Sequence, residues 1–136
     1  MRFDFERDNY QYVVKQGDSL YKIAKEYGVT VNELLNAMDV FVFPSFHEGL
    51  PVSVVEAQAT GLPVVMSDSI TGEVCCTDKI IELSLKQSVY EWAQTAIKYA
   101  ELGVSDTYEQ MKKAGWDIKN ISEILINYYE TGVWGK

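Results

Sequence analysis

Two glutamates, Glu48 and Glu56, stand eight positions apart, with Gly49-Leu50-Pro51 directly after the first. A carboxylate oxygen accepts two donors in charge-assisted bonds, so a pair of carboxylates suits the hydroxyls of a sugar or a ribose. Pro51 is welcome in the first turn of a helix, and the amides of Gly49 and Leu50 would then open a helix end that attracts an anion such as a diphosphate. Glu56 falls about one and a half turns further on and can reach back over that end. His47, beside Glu48, is a further group within reach of a ligand, or a plain loop histidine. Glutamates at this spacing also occur in helices that merely cap or solvate themselves. The surrounding elements therefore decide the meaning of the pair.

Other chemistry is thinly represented. Gly17-Asp18-Ser19-Leu20 forms a second polar cluster in the first third of the chain. The only two cysteines, Cys75 and Cys76, are adjacent and could close only a strained ring, so they are expected to be reduced. With one histidine in the sequence, they fall short of the four convergent ligands of a zinc site, and no metal or cofactor is expected. No phosphate-binding P-loop, Gly-x-Gly-x-x-Gly or Gly-x-Ser-x-Gly occurs.

The elements that must position the glutamates can be read from pattern. Asp39-Val-Phe-Val-Phe-Pro-Ser45 is a continuous apolar run, as expected of a strand buried on both faces of a parallel sheet. A helix is predicted from Pro51 through Val52, Val55, Glu56 and Ala59 to a stop at Gly61. Leu62 to Ser67 reads as the second strand of a β-α-β unit, and Lys79 to Leu85 as a third. Between them, Ser67-Asp68 and Thr71-Gly-Glu73 would line a loop or make its turns. Ser88-x-x-Glu91 is a capping box opening a helix through Trp92, Ala96, Ile97 and Ala100. Further helices are expected at about 106–114 and 117–130, the last with Ile118, Ile121, Leu125 and Tyr128 at helical spacing. Upstream, Tyr12 to Lys15 is β-prone. Asp18 or Ser19 can cap a helix whose apolar face is Leu20, Ile23, Ala24 and Tyr27, ended by Gly28. Thr30-x-x-Glu33 opens another, with Leu34, Leu35 and Met38 inward.

In this setting Glu48-Gly-Leu-Pro-Val-Ser-Val-Val-Glu56, preceded by Val-Phe-Pro-Ser and followed by Ala-Gln-Ala-Thr-Gly-Leu-Pro-Val-Val, resembles the family 4 retaining glycosyltransferases. Ile70-Thr-x-Glu-Val and Trp116-Asp-Ile-x-Asn are similar to the bacterial polysaccharide-type members. The resemblance covers residues ~38–130 and implies half of the donor-binding domain of a two-domain GT-B hexosyltransferase. It places Glu48 at the donor sugar, Glu56 at the ribose, and Gly49, Leu50 and His47 around them, with a nucleotide sugar as ligand. The family's Gly-x-Gly-Arg-like loop, its later Lys and its acceptor domain have no counterpart here. That implies a fragment that binds donor without catalytic residues of its own.

Residues ~10–37, Tyr-x-Val-x-x-Gly-Asp-Ser-Leu-x-x-Ile-Ala-x-x-Tyr-Gly-Val, resemble a truncated LysM module, a binder of N-acetylglucosamine polymers. That resemblance would give Gly17, Asp18, Ser19 and Leu20 a carbohydrate, although the module's closing turn and strand are missing. An orphan structural protein without ligand is the third alternative. The expected fold class is α/β: a small parallel Rossmann-like sheet with flanking helices (38–136), preceded by a β-α-α segment (1–37). The unpaired edges of so small a sheet invite a second copy of the chain or the N-terminal piece. A net charge of -8 excludes a nucleic-acid or anionic-membrane surface, and no run approaches the length of a membrane span. The acidic Met1-Arg-Phe-Asp-Phe-Glu opening lacks the apolar core of a signal peptide, so the cytoplasm is the expected location.

Overall fold

The computed structural model describes Tyr12 and residues 14–134. Tyr10, Gln11 and Val13, in the β-prone opening of the LysM-like segment, lie outside the described residues. The chain divides between Met38 and Asp39 into two compact units.

In the first unit, Tyr12, Val14 and Lys15 are in no strand, contrary to expectation. A turn forms instead, closed by the Asp18 amide donating to the Lys15 carbonyl at 3.1 Å. Helix α1 (Leu20–Glu26) is capped by Ser19, whose hydroxyl accepts from the Lys22 amide. Asp18 is engaged elsewhere: its carboxylate accepts from the Tyr12 hydroxyl at 2.8 Å and the Lys15 amide at 2.7 Å. Helix α2 (Val31–Asn36) opens with the complete Thr30/Glu33 capping box that its sequence predicts. Among the described residues only Ile23, Ala24 and Leu35 are buried, while Leu20, Leu34 and Met38 are half-buried and Tyr27 is exposed.

The second unit is the parallel α/β sheet. Strands β1 (Phe41–Phe43), β2 (Val64–Ser67) and β3 (Ile80–Leu83) lie in the order β1-β2-β3, all parallel. Phe41 is paired with Val64, and Val64 with Ile80. The strand buried on both faces is β2, whose four residues are all buried. The longer apolar run around β1 gives only a three-residue edge strand with Val42 exposed, which corrects the expectation of double burial. The reason is topological. Among the described residues β1 pairs on one side alone, so apolar sequence there does not imply a covered face.

Helix α3 (Val52–Ala59) connects β1 to β2. Pro51 is its N-cap rather than a residue of the first turn, so Gly49 and Leu50 lie just outside the helix. Val54, Val55, Ala57 and Gln58 face the core, and Val52, Glu56 and Ala59 face solvent. Thr60 caps the end and Gly61 turns the chain with φ +77°. Gly61 cannot carry a side chain here: an added Cβ would stand 1.8 Å from the Ser105 carbonyl oxygen, where the two backbones meet in a hydrogen bond. A 3-10 turn at Gly72–Val74 begins at Thr71, in the predicted loop between β2 and β3.

Helix α4 (Val89–Ala100) carries the predicted Ser88/Glu91 capping box and packs toward β2. Two further helices complete the unit, the short α5 (Tyr108–Lys113) and the longer α6 (Ile118–Thr131), the latter capped by Asp117 and ended by Gly132 at φ +71°. Neither α4 nor α6 buries a residue fully. Ile97 and Ile118 are 59% and 77% exposed. No described helix is long and apolar enough to cross a membrane.

Candidate functional site

In an open parallel sheet the carboxyl ends of the strands form the crevice where ligands sit. Here the segment 44–51 leaves the carboxyl end of β1 and enters α3, and it carries most of the expected site. Ser45 donates to Glu48 Oε1 at 2.9 Å and so fixes the half-buried carboxylate. His47, Gly49 and Leu50 are exposed, and His47 offers no side-chain bond to its neighbours among the described residues. Glu56 is the fifth residue of α3, one turn beyond Val52 on the solvent face. Side chains on a helix lean toward its amino end, so the Glu56 carboxylate leans back over the entrance of α3. It accepts no side-chain or capping bond among the described residues.

The amino end of α3 differs from those of α1, α2, α4 and α6. Those helices receive a side-chain cap from Ser19, Thr30, Ser88 and Asp117. Pro51 provides none, and the amides of Gly49, Leu50, Val52 and Ser53 find no acceptor among the described residues. Two of these, from Val52 and Ser53, open the eight-residue helix and share its positive, anion-attracting end, while those of Gly49 and Leu50 belong to the loop that leads into it. The structure thus keeps Glu48, Gly49, Leu50 and Glu56 around one helix entrance. It leaves the Gly17–Leu20 cluster in the other unit, with Asp18 and Ser19 engaged in local bonds.

The position of α3 depends on Gln58, which sequence reasoning passed over. Its buried amide donates to the carbonyls of Val54 at 3.1 Å and Val74 at 2.7 Å. Its oxygen accepts from the amides of Cys76 at 2.9 Å and Thr77 at 3.1 Å, and from the Thr77 hydroxyl. The Gln58 carbonyl takes the Thr107 hydroxyl at 2.7 Å, at the start of α5. A polar residue on the core face of an otherwise apolar helix was the available signal, since burial of an amide demands this degree of satisfaction.

The loops beyond all three strands also enclose an open cleft of about 500 Å³, lined by Phe46, Asp68, Ser69, Ser84, Leu85 and Lys86. Only Asp68 of these was noticed in the sequence. None of Glu48, His47, Gly49, Leu50 or Glu56 lines it. Cys75 and Cys76 are free, and partial desolvation raises both thiols above their ordinary range. The charge of Glu82 adds to this at Cys75, while a hydrogen bond from Trp116 opposes it at Cys76. They are therefore protonated at neutral pH and poor nucleophiles. Among the described residues no three His, Cys, Asp or Glu side chains converge as a metal site.

Comparison with known proteins places this geometry. A family model described as "Glycosyl transferases group 1" matches residues 9–100. That match runs through the LysM-like segment as well as the strand–helix–strand unit. The chain is 40% identical over 106 residues to "Putative glycosyltransferase EpsF" of Bacillus subtilis (strain 168), covering 73% of this chain and 27% of that protein. It is 49% identical over 45 residues to the UDP-Gal:alpha-D-GlcNAc-diphosphoundecaprenol alpha-1,3-galactosyltransferase of Escherichia coli, 33% of this chain and 11% of that protein. It is 58% identical over 36 residues to the N,N'-diacetylbacillosaminyl-diphospho-undecaprenol alpha-1,3-N-acetylgalactosaminyltransferase of Campylobacter jejuni subsp. jejuni, 26% and 10% respectively. The chain thus spans about a quarter of the first relative and about a tenth of each of the other two. No solved structure matches.

Proposed function

This chain belongs to the group 1 glycosyl transferases, and we propose that residues 39–136 bind a nucleotide sugar at the entrance of α3 and do not transfer the sugar by themselves. The observation that carries this reading is the uncapped end of α3, where the amides of Val52 and Ser53 and those of the adjoining loop residues Gly49 and Leu50 have no acceptor among the described residues, between Glu48 and Glu56 at the carboxyl edge of a parallel sheet. The amides of Gly49, Leu50, Val52 and Ser53 would receive the diphosphate. Glu48, held by Ser45, would accept hydroxyls of the sugar, and Glu56 those of the ribose. The name of the Escherichia coli relative specifies UDP-Gal, and that of the Campylobacter relative a galactosamine derivative. A UDP-linked galactose or N-acetylgalactosamine is therefore the first donor to test.

Affinity should be low. A hydrogen bond to a charged group contributes about 1.5–3 kcal/mol, so one or two of them with helix-end attraction reach about 4 kcal/mol, or roughly millimolar binding. The two glutamates add negative charge near the diphosphate, which opposes anything tighter. The stabilisation of a departing diphosphate normally needs cations aimed at it, and α3 has no Lys or Arg. The test is an amide titration with UDP-galactose and UDP-N-acetylgalactosamine, together with an assay for released UDP. Saturable shifts at residues 49–53 without UDP release support the reading. Shifts confined to other residues, or release that is lost in both Glu48→Ala and Glu56→Ala, contradict it.

A further inference from the structure

Helix α6 leaves an apolar stripe uncovered. Ile121 and Ile124 are half-buried, whereas Ile118, Leu125 and Tyr129 are exposed, Tyr129 to 83%. Ile118, Ser122, Leu125 and Tyr129 follow one another at intervals of four, three and four, the spacing that lines the seam of one helix against another. Ser122 interrupts the apolar side chains, but its hydroxyl already donates to the Ile118 carbonyl at 2.6 Å and can be covered without losing a bond. Charge lies beside the stripe and not in it. Lys119 stands near one end of the helix and Glu130 near the other, and eleven residues apart they project from the same flank. Both side chains are exposed and bond to nothing among the described residues.

We propose that this stripe is covered by the same stripe of a second copy of the chain, in an antiparallel two-fold pair of α6 helices. Charge complementarity selects that partner. In an antiparallel pair centred between Ile124 and Leu125, Lys119 of each copy stands level with Glu130 of the other, and the two-fold axis makes both ion pairs from one contact. In the same register Ile118 lies beside the second copy's Tyr129, and Ser122 beside its Leu125, so small and large side chains alternate along the seam. An in-register parallel pair would instead set Lys119, Glu123 and Glu130 each against its own kind. One helix of fourteen residues per copy supplies less than the roughly 800 Å² per partner of a standard interface. Two chains of net charge -8 also repel at long range. The dimer is therefore weak, half-dissociated on the order of 100 μM. This pairing is independent of nucleotide binding at the entrance of α3.

The experiment is sedimentation velocity on the whole chain from about 10 μM to about 1 mM. The unaltered chain should pass from monomer to dimer across that range. Tyr129→Glu puts a charge into the seam and should raise the half-dissociation concentration about tenfold or more. Lys119→Glu turns both ion pairs into like-charge contacts and should raise it about fivefold. Lys119→Glu combined with Glu130→Lys restores both pairs in reversed order, and should return to within about twofold of the unaltered chain. The substituted side chains are all exposed, so circular dichroism should be the same in the three variants. Sedimentation as a monomer up to about 1 mM would overturn the proposal. So would dimerisation undiminished in Tyr129→Glu, which would place the contact elsewhere, or a double variant no tighter than Lys119→Glu alone. A monomer that partitions onto phosphatidylcholine vesicles would give the stripe to a lipid surface and overturn it as well.

Discussion

Residues 12–38 and the loops at the carboxyl edge of the sheet contain similar polar side chains, bonded in opposite ways. In the first region Asp18 accepts from Tyr12 and Lys15, Ser19 caps α1, and Thr30 and Glu33 close a reciprocal box on α2. In the second, among the described residues, Glu56 and the amides of Gly49, Leu50, Val52 and Ser53 have no partner, and Glu48 has only Ser45. The same residue types are thus structural where they complete the backbone and available where they do not. Motif resemblance alone separates these cases poorly. The accounting of donors and acceptors separates them well.

The strongest test of the rigid half of this contrast is Gly61. Gly61→Ala places a Cβ against the Ser105 carbonyl at a positive φ, and should cost about 3 kcal/mol or more. Gly28→Ala, at φ +68° with nothing within 4 Å, should cost about 1 kcal/mol. Urea denaturation of both variants checks the difference, and equal losses would mean that the 61–105 approach is not maintained. Next in size is Gln58→Leu, which orphans the amides of Cys76 and Thr77 and the Val74 carbonyl. It should destabilise the second unit by about 2–4 kcal/mol in the same measurement.

A smaller effect lies in alkaline solution. The hydrogen bond to the Asp18 carboxylate pushes the Tyr12 phenol from 10.0 up to about 12, with slight desolvation and the charges of Asp18 and Glu26 adding to it. A raised folded value means that this contribution is complete below pH 10 and is lost as pH rises through about 12. Tyrosinate absorbance should show Tyr12 titrating late, and Asp18→Asn should return it toward 10.0. Smallest of all is the response of the first unit to N-acetylglucosamine oligomers. Asp18 and Ser19 are already engaged, so amides from Gly17 to Tyr21 should not shift saturably; clear shifts there would revive the LysM reading and erase the contrast.

Much of the second unit was legible because its signals are local. The Ser88/Glu91 box, the Gly61 stop and the apolar Val64–Ser67 run each fix an element through residues within a few positions. What the sequence hid was long-range. The coverage of β1 depends on which strand lies beside it, so the Asp39–Ser45 run reads as a doubly buried strand although, among the described residues, Phe41–Phe43 is an edge. The strand expected at Tyr12 to Lys15 is not formed by its described residues, because β propensity cannot act without a partner strand. Glu48, Gly49, Leu50 and Glu56 could be found together because one loop and one helix carry them. The Phe46–Asp68–Lys86 cleft could not, since its walls come from three loops up to forty residues apart.

The central claim is that the entrance of α3 holds a nucleotide sugar through its free amides and the two glutamates. Calorimetry with UDP-galactose and UDP-N-acetylgalactosamine on the unaltered chain, Glu48→Ala and Glu56→Ala tests it most directly. The account predicts roughly millimolar binding of at least one donor. Glu56→Ala should weaken both that donor and UDP alone by about tenfold, whereas Glu48→Ala should weaken the donor but not UDP. Binding of the same strength in all three proteins, or heat no greater than dilution with either donor, would contradict it.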